Sequence, residues 1–210
     1  ETKYTKMQFM AITGMKELVD KHKYHVLVNS SENDSHLHGV ITLIKMKPAQ
    51  VLKGVGEPEL DKEGRCLITI CEKFILVNSY TPSAGKPGLL ERKATKIKYI
   101  RAMTATITNL VEKWKLPVIM AQDTNVALDS KDFSRGARFH RYLRYPSLTE
   151  EEKDEVRTMM KKLQVTDLAT SMSKHNPNRH RYTWKCPQTK LAMRIDHFMV
   201  SHEMTKHQGS

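Results

Sequence analysis

The chain has 210 residues, of which 39% are hydrophobic, and its 35 Lys and Arg against 23 Asp and Glu give a formal net charge of +12. This length and hydrophobic content are sufficient for one buried core, so we predict a single domain over residues 1–210. No apolar run reaches the length of a membrane span, and we expect no membrane partner. The positive charge favours polyanionic partners, nucleic acid above all, although a merely soluble basic protein would have the same balance.

The cysteine content indicates a reducing compartment. Cys66, Cys71 and Cys186 have no metal-ligand spacing, and their odd number leaves one thiol over if two form a disulfide. We therefore expect an intracellular protein, of the nucleus or the mitochondrion, rather than a secreted one.

The first part of the chain predicts one helix and several strands. Apolar residues recur at helical spacing over residues 7–21, which predicts a single amphipathic helix. The charged stretch 45–62 contains two Pro and two Gly and is interpreted as a connection. Short apolar runs that predict strands are residues 24–28, 39–44, 65–70 and 73–79, the last two as a hairpin.

The second part alternates helices with strands. Residues 90–115 predict a long basic helix that leads into an apolar strand. Ser147 and Glu150 have the spacing of a capping box and predict a helix to about residue 163, closed by residues 167–169. Two further strands are predicted over residues 181–185 and 193–200. This alternation indicates a mixed α/β fold with two packed sheets.

Polar side chains follow the apolar strand that begins at residue 116. Asp123 and Asn125 stand at its carboxyl end, where α/β sheets place their chemistry. A carboxylate and an amide at this spacing can bind a hard cation, or orient a water and a phosphate oxygen. The simpler alternative is an Asx turn at the end of a strand.

Two other features suggest a site. Asp196 lies within the apolar strand 193–200, and a buried acid there requires a metal or an ion pair, for example with a neighbouring Arg. Basic and aromatic residues interleave over residues 133–145, around Arg138, a composition that suits phosphates and unstacked bases as well as an ordinary surface loop.

Six blocks of sequence together point to a known family. They are residues 1–3, 63–65, 77–85, 117–127, 182–184, and 194–196 with 198–201. In these blocks and in their order, the chain resembles exonuclease III-type apurinic/apyrimidinic endonucleases, of the endonuclease/exonuclease/phosphatase superfamily. The resemblance extends along nearly the whole length of the chain.

The resemblance implies a four-layer α-β-β-α sandwich of the DNase I-like type, with the active site at one edge of two central sheets. The family begins with a strand that ends in Trp-Asn and finishes with Ser-Asp-His, and neither motif occurs in the 210 residues. We therefore expect the family's first strand and its last catalytic segment to be missing from this chain.

The resemblance also implies a role for each matching polar residue. Glu1 matches the metal ligand of the family's Gln-Glu-Thr-Lys motif, and Tyr80 matches the tyrosine that contacts the scissile phosphate. Asp123 matches the acid that activates or positions the attacking water, Asn125 the amide that orients it, and Asp196 the acid that supports the catalytic histidine.

Three more residues match positions that contact DNA in the family. Lys86 stands where the family has a basic residue after Ala-Gly. Trp184 and Met193 fall where the family builds an apolar pocket for a sugar without a base, although Met193 replaces an aromatic residue.

These matches imply a Mg²⁺-dependent DNA phosphodiesterase, with Mn²⁺ as a possible substitute, that incises duplex DNA at abasic sites in base excision repair. The alternative is a catalytically incomplete homologue that binds RNA or DNA as a structural component of a ribonucleoprotein such as a mitochondrial ribosome. A phosphatase of small phosphoesters is a third reading, which the block from Tyr80 to Gly85 disfavours.

Overall fold

The computed structural model describes residues 2–32, 38–85, 90–134, 146–173, 182–186 and 190–205. In this part of the chain the strands are β1 (His25–Asn29), β2 (Val40–Ile44), β3 (Gln50–Lys53), β4 (Cys66–Ile70), β5 (Ile75–Tyr80), β6 (Val118–Asp123), β7 (Val165–Asp167), β8 (Trp184–Lys185), β9 (Ala192–Met193) and β10 (Asp196–Ser201). The helices are α1 (Lys6–Met10), α2 (Met15–His22), α3 (Pro58–Asp61), α4 (Leu90–Trp114), α5 (Glu150–Lys162), α6 (Leu168–Ser173) and α7 (His202–Thr205).

A six-stranded sheet in the order β3-β4-β5-β6-β10-β7 is the centre of the fold. β5 and β6 are parallel, whereas β4 pairs antiparallel with β5 and β10 pairs antiparallel with β6. The parallel pair needs a crossover, which α4 supplies between the two strands.

One face of this sheet packs on α4 and α5. Alternate residues of the strands point to this face, so their apolar side chains meet the apolar stripe of α4. The buried residues of this core include Ile68, Val77, Met120 and Met199 from the sheet, Ile100, Met103 and Ile107 from α4, and Val156 and Met159 from α5.

The other face is partly covered by the β1–β2 ribbon. The Asn29 side-chain nitrogen donates to the Cys66 carbonyl at 2.9 Å, and that of Asn78 donates to the Ile41 carbonyl at 2.9 Å, so polar bonds fix the ribbon over β4 and β5. α1 contacts β1 on the outside. The order of the layers is therefore α4 and α5, the six-stranded sheet, the β1–β2 ribbon, and α1. This is the predicted α-β-β-α order.

Two local predictions in the first part of the chain were wrong. The helix predicted over residues 7–21 is two short helices, because the chain breaks between them and Gly14 has a left-handed φ of 77°. The stretch 45–62 is more than a connection, since it contains β3 and α3. β3 is too short and too polar for its pattern to be seen in the sequence.

Three predictions in the second part were also inexact. The capping box of α5 is formed by Thr149 and Glu152 rather than by Ser147 and Glu150. Asp167, expected at the close of that helix, ends β7. The predicted strand 193–200 is divided into β9 and β10.

The hairpin and the long basic helix were predicted correctly. β4 and β5 pair antiparallel, and α4 runs over nearly the predicted residues. Among the described residues, no helix combines the length and apolar content that crossing a membrane requires.

The glycine before β4 offers a test of this packing. Gly64 has a φ of 64°, and a Cβ there would lie 2.4 Å from the Ser30 carbonyl carbon. Gly14 has a similar φ of 77° but nothing within 4 Å. Since both Ala variants carry the left-handed strain, we expect Gly64→Ala to lose about 2 kcal/mol more unfolding free energy than Gly14→Ala in urea titrations. Equal losses would contradict the tight contact with the β1–β2 ribbon.

Candidate active site

Three of the predicted site residues lie in one row across the sheet. Tyr80 at the end of β5 pairs with Asp123 at the end of β6, and Asp123 pairs with Asp196 at the start of β10. Directly opposed residues of neighbouring strands project from the same face of a sheet. All three line an open pocket of about 400 Å³, on the side where the β1–β2 ribbon ends.

Asn125 joins this row through a turn. Its backbone N–H donates to Asp123 Oδ1 at 2.8 Å, and its side-chain nitrogen donates to the Thr81 carbonyl at 2.9 Å. Asn125 has a left-handed φ of 51°, so the strand geometry does not continue past Asp123. The Asx turn considered as an alternative is therefore present, and it brings the amide to the carboxylate.

The carboxyl group of Asp123 is electrostatically unusual. Its pKa is raised from 3.8 to about 6, mainly by burial and also by the nearby charge of Asp196, while the backbone N–H of Asn125 and the charge of Lys96 oppose the shift. A carboxyl with a pKa near neutrality is suited to accept a proton.

Asp196 differs from its prediction. It is the first residue of β10 and is exposed, so it is not an acid buried within an apolar strand. The nearby Arg194 bonds instead to Asp132 at 2.7 Å and Asp167 at 2.6 Å. The Thr183 hydroxyl accepts from the Asp196 backbone N–H at 3.1 Å, which fixes the start of the strand.

Tyr80 has a cationic neighbour that the sequence analysis did not assign to the site. The Arg65 guanidinium lies 4.6 Å from the centre of the Tyr80 ring, and its Nη1 contacts the Tyr80 carbonyl at 3.4 Å. Arg65 is 5% exposed and its Nε donates to Glu63 at 2.5 Å. A charged residue at the edge of a fully buried strand was the signal that could have identified it.

Trp184 and Met193 lie directly opposite each other in the β8–β9 ribbon. Trp184 is 41% exposed, and Met193 packs against the small cluster that contains Phe133 and Leu148. Thr183, which bonds to Asp196, precedes Trp184, so the ribbon adjoins the row. Their role in binding DNA stays a prediction.

The remaining predicted site residues are Glu1, Lys86 and Arg138, and they lie outside the described residues. Their roles also stay predictions.

Two buried residues behind the row were missed altogether. Lys96 of α4 and Glu152 of α5 form an ion pair with no exposed side-chain surface, and Lys96 Nζ donates to the Asn125 carbonyl at 2.8 Å. Lys96 is four residues before Ile100 and seven before Met103, which places it on the apolar stripe of α4. A lysine on the apolar stripe of a helix was the signal in the sequence that could have identified this buried residue.

Comparisons with known proteins found similar sequences and similar folds among DNA repair nucleases. No family model matches the chain. It is 27% identical over 170 residues to a DNA-(apurinic or apyrimidinic site) endonuclease of Plasmodium falciparum, covering 67% of this chain and 27% of that protein. It is 34% identical over 119 residues to the DNA repair nuclease APEX1 of Danio rerio, covering 55% of this chain and 34% of that protein. The alignments thus span about a third of these relatives' length.

Among solved structures, an AP endonuclease from Archaeoglobus fulgidus superposes with a TM-score of 0.76 over 96% of this chain and 74% of that chain, at 18% identity. The fold is therefore the DNase I-like α/β fold. In sequence, the chain is similar to apurinic/apyrimidinic endonucleases and exodeoxyribonucleases, in agreement with the resemblance that the sequence blocks indicated.

The raised pKa of Asp123 predicts a titration near neutrality. In metal-free protein with EDTA, we expect the Asp123 side-chain carboxyl to titrate with a midpoint of about 6 in ¹³C spectra. Asp196→Asn removes a neighbouring negative charge and should lower that midpoint. A midpoint near the ordinary value of 3.8, or no change in the Asp196 variant, would contradict the electrostatic description.

The same shift predicts that Asp123 reduces stability. A folded-state pKa above the ordinary value of 3.8 means that ionisation opposes folding, and this loss develops as pH rises from about 4 to about 6. Asp123→Asn should therefore raise the free energy of unfolding by about 1–2 kcal/mol at pH 7, measured without metal. The gain should shrink towards about pH 4. A gain that is independent of pH would have another cause.

Proposed function

We propose that the complete protein is a Mg²⁺-dependent DNA phosphodiesterase that incises duplex DNA at abasic sites. The observation that carries this proposal is the row of Tyr80, Asp123 and Asp196 on three adjacent strands, with Asn125 bonded to Asp123. The names of the relatives, a DNA repair nuclease and an endonuclease of apurinic or apyrimidinic sites, support the same chemistry. They lend no support to the alternative of a ribonucleoprotein component.

Asp123 and Asp196 fit part of the ligand set of a hard divalent cation. The charge of Asp196 raises the pKa of Asp123, because the two acids repel each other when both are ionised. A cation near such a pair relieves the repulsion, and carboxylate oxygens are the ligands that Mg²⁺ prefers. No group of three or more His, Cys, Asp and Glu that could hold a metal occurs among the described residues. Glu1, which the resemblance assigns as a ligand, would complete the donor set.

Each residue of the row has a task in phosphodiester hydrolysis. Asp123 accepts a proton from, or positions, the attacking water, and Asn125 orients that water and a phosphate oxygen. Tyr80 donates from its phenol to a phosphate oxygen, where negative charge develops. The Arg65 guanidinium, which is paired with Glu63, packs on the Tyr80 ring. A bound Mg²⁺ would stabilise the charge on the phosphate oxygens.

To select abasic sites, the protein also needs a surface that recognises a sugar without a base. An abasic sugar leaves the helix at lower cost than a paired base, so a small apolar surface can recognise it. Trp184 and Met193 supply such a surface beside Asp196. The net charge of +12 supplies general attraction to the phosphate backbone.

The direct test is incision of an end-labelled duplex with one abasic analogue, using the full-length gene product. We expect cleavage with Mg²⁺, none with EDTA, and at least a thousandfold lower rate for Asp123→Ala, because the water loses its acceptor. Binding to the uncut duplex should persist in this variant, since most binding energy comes from dispersed phosphate contacts.

Two outcomes would count against this assignment. Salt-sensitive binding to DNA or RNA without incision by the wild type would mean that the fold serves as a binding surface. Loss of binding in step with loss of cleavage in Asp123→Ala would contradict the division of roles.

A further inference from the structure

Lys96 of α4 and Glu152 of α5 form a fully buried ion pair, although lysine and glutamate side chains are usually exposed. Lys96 and Glu152 both have 0% exposed side chains, and Lys96 Nζ lies 2.6 Å from Glu152 Oε1. Removing two charges from water is costly, and apolar residues of similar volume often stabilise such a position equally well. The pair therefore needs an explanation other than stability.

Lys96 and Glu152 each form further hydrogen bonds, besides the one that joins them, to the segments around the site. Lys96 Nζ donates to the Asn125 carbonyl at 2.8 Å. Glu152 accepts from the backbone N–H of Ser147 at 3.1 Å and from the Thr149 hydroxyl at 2.6 Å. The Ser147 carbonyl in turn accepts from the backbone N–H of Ala127 at 2.9 Å. The pair thus joins the segment that follows Asp123 to the segment that precedes α5.

The position of the Asn125 side chain depends on its backbone conformation. Its φ of 51° is left-handed, a conformation that asparagine adopts more readily than most residues with a Cβ but that remains less favourable than the right-handed or extended ones. In this conformation its N–H bonds to Asp123, its side chain bonds to the Thr81 carbonyl and its own carbonyl bonds to Lys96. Lys96 contributes the one of these three bonds that comes from a helix.

We propose that Lys96 and Glu152 are positioning residues of the active site. Lys96 holds the Asn125 carbonyl, and Glu152 holds Lys96, so that the Asn125 amide stays beside Asp123. Burial lowers the pKa of Lys96 and the Glu152 carboxylate opposes this shift, so Glu152 also favours the charged donor. This inference rests on the proposed nuclease function for its kinetic test, but not for its spectroscopic test.

The structure offers a matched control on the same two helices. Lys93 and Glu151 also form an ion pair between α4 and α5, about one turn away, but both are partly exposed. Lys93→Met therefore removes a comparable pair without touching Asn125. Lys96→Met removes the positioning bond, and Lys96→Arg keeps a cationic donor.

The kinetic experiment uses the full-length protein, Mg²⁺ and the abasic duplex. We expect Lys96→Met to lower kcat ten- to a hundredfold with KM unchanged, Lys96→Arg to recover part of kcat, and Lys93→Met to leave both constants unchanged. Because Lys96→Met leaves a buried carboxylate, the double variant Lys96→Met/Glu152→Gln is measured beside it. The second substitution removes the unpaired charge but does not replace Lys96 Nζ, the donor to the Asn125 carbonyl, so the double variant should keep the kcat defect while folding more readily.

A destabilised core provides the second control. Met103→Ala in α4 should lower the melting temperature without lowering kcat at a temperature where the protein is folded. An equal loss of kcat in Met103→Ala would assign the effect of Lys96 to general stability and overturn the proposal. So would an unchanged kcat in both Lys96→Met and the double variant.

A readout that does not depend on activity separates this inference from the proposed function. In ¹⁵N spectra, the backbone and side-chain amide signals of Asn125 should shift in Lys96→Met and stay in place in Lys93→Met. If the wild type makes no incision, the proposed function fails while these shifts still support the positioning role. Unchanged Asn125 signals in Lys96→Met would overturn the positioning role.

Discussion

The pairing of β6 with a strand on each side is the constraint on which the candidate site depends. β5 is parallel to β6 and β10 is antiparallel, so the end of β5, the end of β6 and the start of β10 meet at one edge of the sheet. Residues far apart in sequence become neighbours there. A shift of one residue in the pairing of β5 or of β10 with β6 would turn the side chains of the shifted strand to the opposite face of the sheet. Tyr80, Asp123 and Asp196 would then no longer lie side by side.

The long helix α4 connects the core to this edge. Its apolar stripe packs on the sheet through Ile100, Met103 and Ile107, and one turn earlier the same stripe presents Lys96 to Asn125. The packing of α4 on the sheet stabilises the fold and also fixes the position from which Lys96 contacts the Asn125 carbonyl. The geometry of the site therefore depends directly on the packing of the hydrophobic core.

The sequence predicted the elements whose pattern is local. The apolar runs of β4, β5 and β6 and the stripe of α4 were evident because period-2 and period-3.6 patterns are strong in buried elements. β3 was missed, and the short strand ending at Asp167 was taken for a helix end, because strands this short have too few positions to show alternation. The cap was assigned to Ser147 because two overlapping Ser/Thr-x-x-Glu patterns occur there, and only the backbone path selects Thr149.

The site was predictable to a similar degree. Asp123 and Asn125 stood out because polar residues end an apolar run, whereas Tyr80 and Asp196 needed the family resemblance. Arg65, Lys96 and Glu152 were missed because their roles depend on contacts between residues 15 to 56 positions apart. The local pattern marks Arg65 and Lys96 as charged residues beside or within apolar stretches, but it does not show which residues they contact.

Three features of the site bear on function. The raised pKa of Asp123, the left-handed backbone of Asn125 and the buried Lys96 each oppose stability. A protein that serves only as a binding surface needs none of these three features, so their occurrence together at one edge of the sheet supports the proposed phosphodiesterase function.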